Sequence, residues 1–443
     1  MVSVLKEFRT LRGMRDFLPQ EMIRREKVLR IIRETFERYG FEPLETPAIE
    51  YWEVLSRKCG EDVEKQIFKF KDKGGRDVGL RFDLTVPFAR VVAQNPNLPK
   101  PFKRYCIARV WRYERPQTGR YREFWQADVD IAGSSLPDAD AEVIAVAVDA
   151  LIALGLKNIE VRLNNRKILE GMALKIGVPD DKVLDVFRAI DKLDKIGLEG
   201  VMKELSLRGV SREISEKLLE FISITGEDID VLEKARSLLR GSRIGEEGIE
   251  ELVSILSILE AYDVRKYVKI DLSIVRGLDY YTGPIFEYVL KGEVGGEPFR
   301  LAIAGGGRYD NLIELYGGSH VPATGVSLGV ERIMEVLNDK VLEAEETLTK
   351  VYVTPVKKEA RLEAIKIAQK LRQANIATDV ELMGRKLDKS LEYADKRNIP
   401  FVIIVGPKDL KEGFVVLKNM KTGVQERIKI SKIVESLEEK IYT

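Results

Sequence analysis

The chain has 443 residues, too many for one typical domain, so we expect two or three domains. Hydrophobic residues make up 44% and charged residues 33%, with a net charge of +1, as in a folded protein with many surface ion pairs. His320 is the only histidine and the two cysteines are Cys59 and Cys106, which argues against a histidine-based triad and a Cys/His zinc site. Any chemistry must therefore rest on carboxylates, arginines and tyrosines, or on a metal bound by oxygen ligands. No segment resembles a signal peptide or membrane span, so we expect a cytoplasmic protein without membrane contact.

Helical and extended patterns alternate in the first part of the chain. Apolar spacing predicts a helix over 21–39, and the prolines of FEPLETPAIE predict an extended segment over 41–55. A hairpin with Gly74 at its turn follows, and then a helix with Pro87 in its first turn. The apolar run AEVIAVAVDALIALG predicts another helix, and IEVRLNN a strand.

The character of the chain changes twice further on. Leucine-rich helical patterns fill residues 166–267 and predict a helical insertion within a sheet that resumes after it. A polar linker over 339–349 precedes alternating β and α patterns over 350–443, which predict a small α/β domain with a largely parallel sheet. This last segment has 20 Lys and Arg against 13 Asp and Glu, a net of +7, which favours a polyanionic partner.

A polar hairpin is predicted over 109–133, RVWRYERPQTGRYREFWQADVDIAG. Side chains alternate between faces along a strand, so Phe124, Gln126, Asp128 and Asp130 share one face, and an apolar set takes the other. A face with this many charges is costly near a core unless it binds something polar. The alternation favours a polar pocket over a solvated hairpin with surface ion pairs.

Three segments centred on arginines point to phosphate binding: Arg112 in the hairpin, Arg276 in VRGLDYYTG and Arg332 in GVSLGVERI. Arginine binds phosphate oxygens in a forked geometry and stabilises charge during displacement at phosphorus. The glycine run AGGGRYD at 304–310 is compatible with close approach of a ligand or with a tight turn. It matches neither a Walker loop nor a dinucleotide fingerprint.

Taken in order, these segments resemble the histidyl-tRNA synthetase family of class II aminoacyl-tRNA synthetases. FEPLETPAIE resembles motif 1, with Pro47 at a dimer interface, WRYERPQTGRYREFWQADVDIAG resembles motif 2, and GVSLGVERI motif 3. RGLDYYTG and AGGGRYDNL resemble the two histidine-specific segments. The resemblance spans nearly the whole chain and implies an α+β fold, namely an antiparallel sheet flanked by helices, a helical insertion and a C-terminal α/β anticodon-binding domain. The implied boundaries are catalytic parts over 1–165 and 268–338, the insertion over 166–267, the linker over 339–349 and the anticodon-binding domain over 350–443.

The resemblance also implies a reaction and its ATP-binding residues. L-histidine reacts with ATP to give histidyl-adenylate, and the histidyl group then passes to the 3′ end of tRNA(His). Arg112 and Arg276 are the implied catalytic residues at the α-phosphate. The implied ATP-binding set is completed by Glu114 and Phe124 at adenine, and by Arg120 and Arg332 at the outer phosphates. Mg²⁺ is expected with ATP, and no sequence feature identifies its ligands.

Histidine binding is assigned by the same resemblance. Asp83, Thr85 and Gln126 are expected at the α-amino group, although some members of the family have glutamate in place of Asp83. The remaining expected contacts are Arg276 at the carboxylate, Asp130 and Tyr281 at the imidazole nitrogens, and Tyr280 and Tyr309 along the pocket wall. A pocket that satisfies both ring nitrogens rejects analogues by roughly 10⁴ or more, so no editing domain is needed.

Alternative functions remain open from the sequence. One is a non-catalytic paralogue, such as the histidine-binding regulatory subunit of ATP phosphoribosyltransferase or a tRNA-sensing domain. The complete arginine set and the basic C-terminal segment favour the enzyme, which we expect to be a homodimer. The other alternative is a general RNA-binding protein, against which the pocket residues argue.

Overall fold

The computed structural model describes residues 8–57, 64–115, 120–275, 280–294, 297–337 and 347–442. The chain divides into two compact units. The first comprises Met1–Asp16 and Val28–Val341, and the second Phe17–Lys27 and Leu342–Thr443. Within the described ranges, no helix is both long and apolar enough to cross a membrane.

The strands of the first unit lie on both sides of a helical stretch in the chain. They are β1 (Glu42–Pro43), β2 (Ile49–Tyr51), β3 (Lys69–Lys71), β4 (Asp77–Leu80), β5 (Phe102–Trp111), β6 (Glu123–Ala132), β7 (Ile159–Asn165), β8 (Val268–Ile270), β9 (Pro284–Val294), β10 (Glu297–Arg308) and β11 (Ala323–Gly329). The helices in this part of the chain are α1 (Pro19–Arg38), α2 (Trp52–Ser56), α3 (Thr85–Gln94), α4 (Pro137–Ala153), α5 (Arg166–Lys175), α6 (Val183–Ile190), α7 (Leu193–Leu207), α8 (Arg212–Ile222), α9 (Asp228–Leu239), α10 (Arg243–Ala261) and α11 (Val330–Val336).

One large sheet organises the first unit, in the order β1-β5-β6-β11-β10-β9-β7-β8 among the described strands. Its pairs are antiparallel except β1 with β5 and β7 with β8. A separate small sheet contains β2, β4 and β3. This arrangement confirms the predicted α+β class, an antiparallel sheet flanked by helices.

The hairpin β5–β6 lies at the centre of this sheet because β6 pairs with β5 on one side and β11 on the other. Both faces of β6 are therefore covered: Ala127 and Val129 are buried on one, and Asp128 and Asp130 on the other. The apolar helix α4 packs against β6 and β11, as expected for a helix that is hydrophobic on all sides. The core thus places polar side chains of β6 in a buried layer.

Helices α5 to α10 occupy the chain between β7 and β8, where the leucine-rich stretch predicted helices. β7 and β8 lie side by side in the sheet, so the helices leave the sheet and return to it at neighbouring positions. The domain boundaries at 166 and 267 remain predictions, and most of the predicted linker over 339–349 lies outside the described residues.

The second unit contains an α/β arrangement after residue 347. Its elements there are β12 (Val351–Pro355), α12 (Arg361–Gln373), β13 (Thr378–Val380), α13 (Leu387–Lys396), β14 (Phe401–Val405), α14 (Pro407–Lys411), β15 (Phe414–Asn419), β16 (Gln425–Lys429) and α15 (Ile433–Tyr442). The sheet order is β13-β12-β14-β15-β16, in which only the β13-β12-β14 part is parallel. The predicted largely parallel sheet is therefore corrected to a mixed one, because the connections after β14 and β15 are shorter than the crossover of a dozen or more residues that parallel neighbours require.

The segment over 41–55 also differs from its prediction. Instead of one extended run it forms the short strands β1 and β2 and then helix α2. Pro43 ends β1 after two residues, since a proline cannot donate to a strand ladder. WEVLS lies beyond the last proline, and its side chains pack Leu55 into a small core.

Candidate active site

A cavity of about 820 Å³ opens over the face of the large sheet that carries the polar side chains of β6. Its walls come from the hairpin, from β9, β10 and β11, and from the segment before α3. The residues that sequence reasoning assigned to ATP or histidine and that line it are Asp83, Thr85, Arg112, Glu114, Arg120, Phe124, Gln126, Tyr280, Tyr281, Tyr309 and Arg332. Asp130 is buried behind this wall, and Arg276 lies outside the described residues.

Arg112 and Phe124 form the outer end of the hairpin face. The guanidinium carbon of Arg112 lies 5.2 Å from the centre of the Phe124 ring, and its Nε donates to the carbonyl of Phe82 at 2.9 Å. Arg120 lies 3.7 Å from Glu114 across the same end. The hydrogen bond to the Phe82 carbonyl fixes the orientation of the other N–H groups of Arg112. An aromatic face beside a cation suits a nucleobase next to its phosphates.

Helix α11 brings Arg332 to this end of the cavity. The carboxylate of Glu331 accepts the backbone N–H of Trp125 at 2.8 Å and thereby fixes the start of α11 against β6. Arg332 Nη1 donates to the carbonyl of Ala302 on β10 at 2.5 Å. Residues more than 200 positions apart in the sequence are thus held at one site. Arg332 lines the same cavity as Arg112, Arg120 and the Phe124 ring.

Tyrosines line the inner end. The rings of Tyr280 and Tyr281 have centroids 5.0 Å apart, and those of Tyr280 and Tyr309 are 5.8 Å apart. Burial raises the pKa of Tyr280 and Tyr309 well above the ordinary value, so both phenols keep their protons. These rings give an apolar wall with polar tips, as a flat heteroaromatic ligand requires.

Asp130 belongs to a buried cluster behind the tyrosines. It accepts a hydrogen bond from the hydroxyl of Tyr309, and its Oδ2 lies 2.5 Å from Nη2 of Arg104. Arg104 is fully buried and also donates to the carbonyl of Leu84 at 2.9 Å. The structure therefore places Asp130 next to the predicted pocket, where it supports Tyr309 from behind.

The glycine run lies within strand β10 and not in a turn. A Cβ at Gly306 would come within 2.0 Å of the carbonyl of Gly325, and one at Gly307 within 2.9 Å of the Tyr281 ring. At Gly325 a Cβ would lie 2.1 Å from Asp130 Oδ1. These glycines allow the strands and the tyrosine ring to approach closely, which explains the run in physical terms.

Two carboxylates that line the cavity are strongly affected by burial. Burial raises the pKa of Asp83 to about 6 and that of Asp128 to about 7. Asp83 also accepts the backbone N–H of Val86 at 3.0 Å and so caps the first turn of α3. A cation bound beside these two carboxylates would lower both pKa values again and favour their ionised forms.

Sequence reasoning missed several residues of the site. Arg104 has the same strand parity as Arg112, and this parity was the available signal. Asp128 was predicted on the polar face of the hairpin but was assigned to no ligand. Arg162 on β7 was not foreseen. Its Nε lies 2.7 Å from Asp271 and its Nη1 3.0 Å from Asp194 of α7, so it ties the helical insertion to the cavity wall.

The remaining candidates have no part in the cavity. His320 is exposed, with Nδ1 3.8 Å from a carboxylate oxygen of Glu314. Cys106 is a buried free thiol, and Cys59 lies outside the described residues. Among the residues that the structure describes, no group of three or more His, Cys, Asp or Glu side chains is arranged to hold a metal ion.

Comparison with known proteins gives consistent results over the whole chain. A sequence profile of histidyl-tRNA synthetase matches residues 13–333, and one of the anticodon-binding domain matches residues 350–440. The histidine–tRNA ligase of Pyrococcus furiosus is 44% identical over 435 residues, covering 98% of this chain and 99% of the relative.

Solved structures agree with these matches. A crystal structure of histidyl-tRNA synthetase from a Nostoc species has a TM-score of 0.81 at 31% identity, covering 98% of this chain and 99% of that one. A protein described as an ATP phosphoribosyltransferase regulatory subunit/histidyl-tRNA synthetase, from Bacillus halodurans, has a TM-score of 0.76 at 26% identity, with 90% and 98% covered. The chain belongs to the histidyl-tRNA synthetase family.

Proposed function

We propose that the cavity over β6 holds ATP and histidine together and is the catalytic centre of a histidine–tRNA ligase. The chain is an enzyme that activates L-histidine with ATP and transfers it to tRNA. One cavity is lined by residues from the hairpin, from the start of α3, from the end of β10 and from α11, and these residues were assigned partly to ATP and partly to histidine. This observation carries the site assignment. The non-catalytic alternative loses its support because the near-full-length relatives are ligases.

ATP is assigned to the outer end of this cavity. Phe124 would stack on adenine and Glu114 would accept from its amino group. Arg112, Arg120 and Arg332 would bind the phosphates, because guanidinium groups satisfy phosphate oxygens in pairs. The anchoring of Arg112 by the Phe82 carbonyl supports this role, since a fixed cation spends little entropy on binding.

Histidine is assigned to the inner end. Asp83, Thr85 and Gln126 would surround its α-amino group, and Tyr280 would form part of the wall. Tyr281 would meet one imidazole nitrogen. Asp130 would act at the other nitrogen through Tyr309, whose hydroxyl donates to Asp130 and keeps its oxygen free to accept from a ring N–H.

The first chemical step follows from this placement. A histidine carboxylate oxygen attacks the α-phosphorus of ATP, the bond from that phosphorus to the bridging oxygen breaks, and diphosphate leaves. Arg112 would neutralise the charge that builds on the α-phosphate oxygens. Arg276 is proposed to grip the same phosphate and the attacking carboxylate, and its assignment rests on the RGLDYYTG segment.

Mg²⁺ is proposed to enter bound to ATP. The phosphate oxygens of ATP would supply ligands to the ion. The ion would neutralise phosphate charge when bound, and the steps assigned to the side chains above are independent of its position.

The tRNA is proposed to contact the second unit at the carboxyl edge of β12, β13 and β14. These strands are parallel, so the loops that follow them meet at one edge of the sheet. The loops carry the exposed apolar residues Val356, Leu382 and Met383 beside the exposed basic residues Lys357, Lys358, Lys386 and Lys408. Basic groups for phosphates and apolar groups for unstacked bases are what a single-stranded RNA loop requires.

A homodimer and a cytoplasmic location complete the proposal. In the first unit Ile49, Tyr51 and Phe70 are each at least 41% exposed, and these three apolar residues lie on one small sheet. The first strand of this sheet, β2, begins within the segment that resembles motif 1, so we propose the sheet as part of the interface with a second copy. The cytoplasm is proposed because the tRNA and the ribosomes that use it are there.

Histidine-dependent exchange between ATP and diphosphate tests the proposed function. With a panel of amino acids, only histidine should support exchange by the unaltered enzyme, and exchange with no amino acid or with several would contradict the proposal. Arg276→Ala should lower the exchange rate by roughly 10² or more, since it removes a charge-stabilising donor. Near wild-type exchange would sink the assignment of Arg276 and leave the function itself standing.

A further inference from the structure

Buried carboxylates outnumber the neighbouring arginine at the inner end of the cavity. Asp83 is 5% exposed, and Asp128 and Asp130 are each 1% exposed. Among the described residues, the close ion pair of the fully buried Arg104 is with Asp130, whereas Arg104 acts on Asp128 and Arg112 acts on Asp83 through their charges without a close ion pair. Two carboxylates thus remain beside the cavity, and burying charges in this way is costly unless a cation joins them.

Asp128 has one side-chain oxygen that makes no hydrogen bond to the described residues. Its side chain lines the cavity, and Oδ1 has no hydrogen-bond partner among the described residues. Within the sheet, Asp128 is paired with Cys106 of β5 on one side and with Ser327 of β11 on the other. The mechanism described above does not use this carboxylate.

Two more acceptors in the same wall are open. Among the residues that the structure describes, Asp83 Oδ2 has no hydrogen-bond partner, and its other oxygen caps α3. Gln126 Oε1 likewise has no hydrogen-bond partner within the described ranges, while its Nε2 donates to Ser327 Oγ at 2.7 Å. Gln126 and Asp128 are two positions apart on one strand, so their side chains are neighbours on the same face.

The chemistry of these three atoms defines the ligand group that they fit. An ammonium group complements three acceptors and a negative charge, because it has three N–H donors, no acceptor and one positive charge. A neutral imidazole has a single N–H donor and would leave two acceptors unpaired. The α-ammonium of an amino acid therefore offers one N–H donor to each of the three acceptors and compensates one of the two carboxylate charges.

We infer that Asp128 is a further histidine-binding residue, which accepts a hydrogen bond from the α-ammonium group together with Asp83 and Gln126. The inference rests on the proposed function, because it deepens the assignment of the histidine end. It adds a second carboxylate to the amino-group site and makes recognition depend on the charge of that group. The raised pKa of Asp128 is consistent with a carboxylate that lacks its counter-charge in the free enzyme.

Asp128→Asn tests the inference, because asparagine keeps the size and removes the charge. Histidine-dependent exchange by the wild type is measured first, and its absence would defeat the proposed function and not this inference. Inhibition constants are then compared for histidinol, which has the ammonium group, and imidazolepropionate, which lacks it. Losing one charge-assisted hydrogen bond weakens binding by roughly 10- to 100-fold. The inhibition constant of histidinol and the KM for histidine should therefore both rise by this factor. The KM for ATP and the inhibition by imidazolepropionate should change less than twofold.

Glu123→Gln is the matched control. It removes a carboxylate from the same strand outside the cavity, where Glu123 pairs with Arg109 at 3.1 Å, and should leave both inhibition constants unchanged. Asp128→Ser serves as a second variant if the asparagine variant folds poorly. Equal loss of both inhibitors would mean that Asp128 only supports the fold or binds the imidazole, and no loss for histidinol would mean that it binds nothing. Either result would overturn the inference.

Discussion

Asp128 illustrates how a binding residue lowers the stability of the free enzyme. Burial raises its pKa from 3.8 to about 7, so folding favours the protonated form. Protonation of Asp128 stabilises the fold fully below the pKa of this group in the unfolded chain. This stabilisation is lost as pH rises through the pKa of Asp128 in the folded protein. Between about pH 4 and pH 7 this group therefore becomes increasingly destabilising, and its charge is compensated only when a cation binds.

A pH-dependent stability difference follows for Asp128→Asn. The variant cannot ionise at this position, so its melting temperature relative to wild type should be higher at pH 8 than at pH 5 by about a few degrees. Differential scanning fluorimetry without substrates measures both proteins at each pH. Glu123→Gln should show no such trend. A difference between wild type and Asp128→Asn that stays constant from pH 5 to pH 8 would contradict the argument.

At the scale of elements, a buried ion pair fastens strand β10 to helix α4. Arg308 Nε and Nη2 donate to Asp140 Oδ2 at 3.0 and 2.6 Å, and the same guanidinium donates to the carbonyls of Ser134 and Leu136. The neighbouring residue on the chain is Tyr309, which reaches Asp130. The pair thus fixes both the end of a strand and the position of a pocket tyrosine.

Arg308→Met should be strongly destabilising because it leaves the Asp140 carboxylate buried without its partner. The expected cost is about 3–5 kcal/mol, and the double variant Arg308→Met/Asp140→Asn should recover part of it. Thermal unfolding of the single and double variants gives the coupling. Arg300→Met is the control for stability, since Arg300 lies on the same strand with a side chain that is 61% exposed. Purely additive effects of the two substitutions would argue against the coupling.

At the scale of the whole molecule, histidine activation and tRNA contact are assigned to different units. The cavity lies in the first unit, and the basic and apolar edge of β12–β14 lies in the second. A substitution at that edge should therefore affect charging of tRNA and leave adenylate formation unchanged. Comparing the two reactions distinguishes a loss of tRNA binding from a general loss of folding.

Lys357→Glu/Lys386→Glu should lower kcat/KM for tRNA by roughly tenfold or more, because phosphate contacts dominate nucleic-acid affinity. The defect should shrink as salt is raised, because the variant neutralises fewer phosphates and so depends less on salt. Histidine-dependent exchange should stay within twofold. The matched control is Lys396→Glu/Lys421→Glu. It carries the same charge change at the opposite edge of the same sheet, since Lys396 precedes β14 and Lys421 lies in the β15–β16 turn. Equal charging defects in both double variants would refute a specific tRNA surface at the β12–β14 edge.

The sequence by itself determined the alternation of β6, the arginine-bearing segments and the succession of helices and strands. Period-two alternation predicted that Gln126, Asp128 and Asp130 share a face, and the structure buries that face. Alternation is local, so it can be read from neighbouring residues alone. The motifs likewise predicted most of the cavity wall, because the family resemblance includes residues far apart in the chain.

Only the tertiary structure decided which acceptors on that face remain open. Asp128 and Asp130 look equivalent in the sequence, yet Asp130 is engaged by Arg104 and Tyr309, while Asp128 Oδ1 has no hydrogen-bond partner in the described part of the chain. The difference depends on partners from β5 and β10, up to 179 positions away. Hydrogen-bond satisfaction is a property of the packed site, and no local pattern contains it.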